Sequence, residues 1–193
     1  MKPSTRLALL LVGCVFIASL PVDARPKRSI RSVDFHNFTF ENSDSWMGKV
    51  ALRNGTYQEK DGLGLVQAAK LVALKYVDFD GDGNEEVVVA IRTKFSGSMP
   101  LAMDYYVYSG GPGAVREVFH KWHEGSEGLC IKGKSLTIIA PFWDFPIPHC
   151  CPRYTEKTVY KWRGSRLEPV SRRLWKNYPN QNPERFKQLS RCG

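Results

Sequence analysis

Apolar and β-branched residues along this chain fall in short runs, and glycine-bearing turns separate the runs roughly every ten to fifteen residues. Residues 33–40 are aromatic and alternate. Residues 49–53 lead into Asn54-Gly55, a strong tight-turn dipeptide. Residues 105–108 run into Ser109-Gly110-Gly111-Pro112-Gly113, and 115–119 return. Residues 129–131 and 136–140 flank Lys132-Gly133-Lys134, and 158–162 and 167–170 flank Arg163-Gly164-Ser165. The segment 65–74 carries Ala68, Ala69 and Ala73 and is compatible with a helix, but its second half feeds a loop between strands and reads as a strand. Near the end, Asn182 as cap, Pro183 as first helical residue and Glu184 after it predict a short helix to about residue 189. The pattern predicts a mainly β fold, an antiparallel meander or sandwich-like sheet with tight hairpins and a short C-terminal helix. A closed propeller fits less well, because the chain has room for few blades.

The N-terminus changes the picture of where the chain works. Lys2 and Arg6 precede an apolar stretch over 7–20, and Val22-Asp23-Ala24 has the small-residue form of a cleavage site. Residues 1–24 read as a secretory signal, too short for a comfortable membrane span. Leu11-Val12-Gly13-Cys14 also matches a lipobox, so a lipoprotein acylated at Cys14 is the alternative to a secreted or periplasmic chain. Arg25-Pro26-Lys27-Arg28 would be a proprotein cleavage site in a eukaryote, and Asn37 and Asn54 glycosylation acceptors. Residues 25–32 form a basic arm expected to be mobile, and 33–193 one β-rich domain.

Removing residues 1–24 takes away two of 28 basic and one of 19 acidic side chains, for a net charge of +8. Four cysteines remain, Cys130, Cys150, Cys151 and Cys192. An even number in an exported chain implies disulfides, with three connectivities open. Neighbours on a strand point to opposite faces, which favours separate partners for Cys150 and Cys151. Cys130 bridged to one of them, with Cys192 taking the other, is the expected arrangement.

Against this basic background stands Asp78-Phe79-Asp80-Gly81-Asp82-Gly83-Asn84-Glu85-Glu86. Calcium takes six to eight oxygen ligands. Carboxylates at i, i+2 and i+4 in a curled loop can aim at one point, and Gly81 and Gly83 permit the curl. The carbonyl of Asn84 and the carboxylate of Glu86 can complete the shell. The twelfth position is Val89, where an EF-hand has glutamate, and strand-like segments rather than helices flank the loop. A plain turn whose carboxylates cap backbone amides is the alternative.

The loop resembles the calcium loops of FG-GAP and VCBS-type β repeats. That resemblance implies ligands at positions one, three, five, seven and nine: Asp78, Asp80, Asp82, the Asn84 carbonyl and Glu86. Position nine is usually aspartate in that family. The loop, residues 33–40, Tyr106-Val107-Tyr108, Cys150-Cys151-Pro152 and Tyr160-Lys161-Trp162-Arg163-Gly164 together resemble a group of exported bacterial proteins of this VCBS/FG-GAP-like kind. The resemblance spans roughly residues 30–170 and implies export and a β fold, but no activity.

Other chemistry is thin. His120, His123 and Glu124 invite a metal reading, yet the i, i+3 spacing suits a helix and the segment reads as a strand. No H-E-x-x-H or G-x-S-x-G pattern occurs. A non-catalytic module is favoured, with a secreted hydrolase of dispersed site as alternative. The last third is crowded with cations, among them Arg163, Arg166, Arg172, Arg173 and Lys176, interleaved with aromatics. That mixture suits an acidic cell-surface polymer or a protein partner, and export disfavours nucleic acid. A merely solubilising basic face is the competing reading.

Overall fold

A computed structural model of the chain describes residues 29–43, 47–60, 62, 64, 66–95, 101–110, 114–125, 128–143 and 152–176. The secretory signal, Cys14, the segment holding Cys150 and Cys151, the C-terminal helix and Cys192 lie outside the described residues.

Among the described residues eleven strands follow two 3-10 turns, Ile30–Ser32 and Phe35–Asn37. They are β1 (Thr39–Ser43), β2 (Gly48–Ala51), β3 (Thr56–Lys60), β4 (Val66–Val77), β5 (Glu86–Phe95), β6 (Ala102–Gly110), β7 (Val115–Glu124), β8 (Leu129–Lys132), β9 (Ser135–Phe142), β10 (Tyr154–Arg163) and β11 (Arg166–Lys176). Strands β3 to β7 form a five-stranded sheet and β8 to β11 a four-stranded sheet, each in chain order, and β1 pairs with β2. Every pairing is antiparallel, so the meander expected from the turn spacing is what forms. Asn54 and Gly55 both take positive φ, 50° and 77°, the geometry of a type I′ turn.

The five-stranded sheet is the middle layer. On one face Val87, Val89, Ile91, Tyr106 and Tyr108 meet Ile30, Phe35, Phe40, Val50 and Leu52 from the N-terminal turns and the β1–β2 hairpin. On the other, Val88, Ala90, Met103, Tyr105 and Val107 meet Leu136, Ile138, Tyr160 and Leu167 of the four-stranded sheet. Residues 87–91 of β5 are therefore all buried, which explains an uninterrupted apolar run where a one-sided strand would alternate. Among the described residues no helix is long and apolar enough to cross a membrane.

Two local expectations are corrected. Residues 33–40 do not form one strand. The Asp34 carboxylate accepts from His36 N at 3.0 Å and from Asn37 Nδ2 at 2.7 Å, which stabilises a 3-10 turn at Phe35–Asn37 and delays β1 until Thr39. The second half of the basic arm is fixed: Ile30 is 3% exposed and plugs the upper core. Residues 25–28 lie outside the described residues. In the ambiguous segment the helical option does not occur, because Val66–Val77 pairs along its length with β3 and β5.

Candidate metal centre

The β4–β5 connection is held by its own carboxylates. Asp78 accepts from Gly81 N at 2.6 Å and Gly83 N at 3.2 Å, Asp80 from Asp82 N at 3.0 Å, and Asp82 from Asn84 N at 2.8 Å. Gly81 and Gly83 adopt φ of 83° and 84°, closed to other residues without strain. Phe79 alternates inward, 2% exposed, into the core between the two large sheets. Its N–H donates to Glu86 Oε2 at 2.9 Å, while Ser109 Oγ donates to Glu86 Oε1 at 3.2 Å.

These constraints bring three carboxylates together. One oxygen each from Asp78, Asp80 and Glu86 lie within 4.8 Å of one another. Calcium–oxygen distances of about 2.3–2.6 Å place opposed ligands roughly 5 Å apart, so one cation can touch all three. Asp82 is outside this cluster, and Asp82 and Asn84 are exposed on the rim. Glu86 is 1% exposed. Burial pushes its carboxyl above the ordinary range; the Phe79 N–H and Ser109 hydroxyl oppose the shift, and the Asp80 and Asp82 charges add to it. A carboxylate so placed is relieved by a cation.

Charged groups from the other layers touch this loop. Arg31 donates to Glu85 through Nε at 2.5 Å and a terminal nitrogen at 2.8 Å and lies over the Tyr76 ring at 4.3 Å. That pairing holds Glu85 below the usual carboxylate range. From the β8–β9 turn, Lys134 Nζ rests on Gly81, where an added Cβ would collide with it. The sequence singled out neither Arg31 nor Lys134. Only the meeting of sheets reveals them.

The histidines separate. His120 and His123 on β7 face opposite sides of the sheet, as a three-residue spacing on a strand requires, so they share no ligand site. His120 Nε2 lies 2.9 Å from Asp104 Oδ1 and stacks on Tyr106 at 4.4 Å, in the upper layer. His123, 8% exposed, sits beside Tyr105 on the side facing the four-stranded sheet.

The predicted polyanion-binding residues divide too. Register places Arg163, Arg166 and Arg173 on the outer face of the four-stranded sheet. Arg172 and Lys176 share the opposite face with Glu156 and Tyr154. Arg172 donates to Glu156 Oε2 at 2.6 Å and covers the Phe142 ring at 5.2 Å, so it is committed within the fold. Cys130 is buried on β8, and its expected partners, Cys150 or Cys151, lie with Cys192 outside the described residues.

What these elements define is an antiparallel β-sandwich with an acidic loop where its layers meet. No protein-family profile matches the chain, and neither a curated protein nor a solved structure matches it.

Proposed function

We propose that the chain is an exported, non-catalytic β module of the VCBS/FG-GAP-like kind, stabilised by calcium and binding a surface polymer or a protein partner. The convergence of Asp78, Asp80 and the buried Glu86 on one point carries this reading. Asp82 and the Asn84 carbonyl would supply further oxygens from the rim. Glu86 does cap the Phe79 N–H, but its burial at a desolvation cost beside two other acids is more than a capped turn requires. Export is supported by the N-terminal charge and hydropathy pattern and by the cysteines, with Cys130 bridged to Cys150 or Cys151 and Cys192 taking the other.

Calcium binding the native state alone stabilises by about 2.7 kcal/mol at a hundredfold excess over Kd. In a domain of this size that raises Tm by roughly 5–10 °C. Millimolar calcium should therefore raise Tm relative to EDTA, and Asp80→Ala, an exposed position, should remove the increment. Superimposable melting curves in calcium and EDTA would refute the reading. The hydrolase alternative needs an acid–base pair open to substrate. The Asp104–His120 pair, with side chains 1% and 10% exposed, is nearly closed, which favours the binding module.

A further inference from the structure

We infer that the outer face of the four-stranded sheet is a docking surface for a linear acidic polysaccharide, an inference that rests on the reading of the chain as a polymer-binding module. Six cations share this face: Lys132, Lys157, Lys161, Arg163, Arg166 and Arg173. Lys157 is half-buried and the other five are exposed. Glu168 lies on the same face and is taken by Arg166 at 3.0 Å.

The register carries the inference. Lys157 stands directly opposite Arg173, and Arg163 directly opposite Arg166. Like charges facing one another across strands destabilise a sheet. Glu168, opposite Lys161, partly relieves the Arg163–Arg166 pair through Arg166, as Glu156 does for Arg172 on the other side. Among the described residues no acid stands opposite or beside the Lys157–Arg173 pair on this face, and a bound polyanion would relieve it. Lys161 and Arg163 are two residues apart on β10, about 7 Å, and neighbouring strands are about 4.8 Å apart. A flat chain of sulfates or carboxylates spaced a few ångströms apart matches that grid.

The same face argues against other polyanions. Among the described residues the exposed large apolar side chains are Val72, Leu101, Val170 and Leu174. Leu174 pairs with Glu156 on the opposite face, so among the described residues Val170, the extra residue of a bulge, is the one exposed large apolar side chain near this face, a thin anchor for a lipid surface. Among the described residues the aromatic beside Arg173 on this face, Trp175, is half-buried, a poor platform for stacking bases.

The test is binding of fluorescein-labelled heparin oligosaccharide to the protein expressed with its own N-terminal segment, across a sodium chloride series. Affinity should fall with salt on a log–log slope of roughly three to five in magnitude. Lys161→Glu/Arg173→Glu should weaken binding on the order of tenfold and reduce the slope by about two. Lys70→Glu/Lys75→Glu changes net charge equally on exposed positions of β4 and should leave affinity within about twofold. If the first variant does not fold, Arg163→Gln/Arg166→Gln at the exposed β10–β11 turn replaces it and should also weaken binding. Equal losses in the face and control variants, no loss in either, or tighter binding to duplex DNA or phosphatidylserine vesicles at the same salt would overturn the proposal. Measured in calcium and in EDTA, binding that survives while Tm ignores calcium would refute the metal reading and leave this one standing.

Discussion

His123 gives the protein an acid sensitivity whose size follows from its place between the sheets. Burial pushes its imidazole down from 6.5 to about 4; contact with the Glu124 carbonyl and the charge of Glu156 oppose this, and Lys121 adds to it. In the unfolded chain the ring titrates near its ordinary value. Between about pH 6.5 and 4 the unfolded state therefore binds a proton that the native state does not, and stability falls as pH falls. Above pH 6.5 both states are neutral and the effect vanishes. Below about pH 4 both are charged and the loss has reached its limit, about 3 kcal/mol. At pH 5 the share is about 2 kcal/mol.

The perturbation that isolates this contribution is His123→Phe, which keeps a ring beside Tyr105 and removes the proton site. Urea unfolding at pH 7 and pH 5 gives the loss for each protein, and subtracting the losses cancels the carboxylates common to both. The wild type should lose about 2 kcal/mol more than the variant. The ring Nε2 of His123 is buried with no hydrogen-bond partner among the described residues, so the variant gives up only the 3.3 Å contact between Nδ1 and the Glu124 carbonyl, a loss common to both pH values. Equal losses in the two proteins would mean that the imidazole reaches water in the native state, and the reasoning from burial would fail.

Two further outcomes follow from burial and bonding. Phe79→Ala should cost about 3–5 kcal/mol in urea unfolding, because a fully enclosed ring is removed from the core between the sheets and the loop loses its anchor. Peptide mapping without reductant should find Cys130 joined to Cys150 or Cys151; free thiols or a vicinal Cys150–Cys151 bond would refute that pairing.

The hairpins were legible because their turns demand glycine: Gly133 and Gly164, at φ of 53° and 61°, sit where the charged turn tripeptides mark them. The loop was legible for the same reason, with acids at alternate positions around two glycines. The layering was not. Nothing in the chain says which sheet the aromatic N-terminus will cover, and the 3-10 turn at Phe35–Asn37 depends on one aspartate winning its backbone partners over a strand. The basic face was also hidden, for a sharper reason. Simple alternation from the buried Leu167 would point Arg173 inward and Arg172 outward. Val170 is an extra residue in β11, since Val159 pairs with Ser171 and Tyr160 with Pro169. That bulge inverts the order, turning Arg173 to the outside and Arg172 toward Glu156. A one-residue slip decides which cations are available, and composition cannot report it.

The position of the acidic loop explains how a metal could matter to a protein whose sheets are already closed by apolar cores. The upper layer touches the loop through Arg31 on Glu85 and Tyr76. The lower layer touches it through Lys134 on Gly81 and through the pocket that receives Phe79. The middle sheet supplies Glu86 and Ser109 at the adjacent ends of β5 and β6. Both lysine and arginine contacts are exposed or rim interactions, and such pairs contribute little singly. Phe79 and Glu86 are a different case: one backbone N–H joins a core aromatic to a buried carboxylate, so a displacement of the acid is transmitted directly to the packing. A cation gathering Asp78, Asp80 and Glu86 would fix that carboxylate, and through it the seat of Phe79. The stabilisation would then be felt by the whole sandwich, which is why global Tm, and not a local probe of the loop, is the informative measurement.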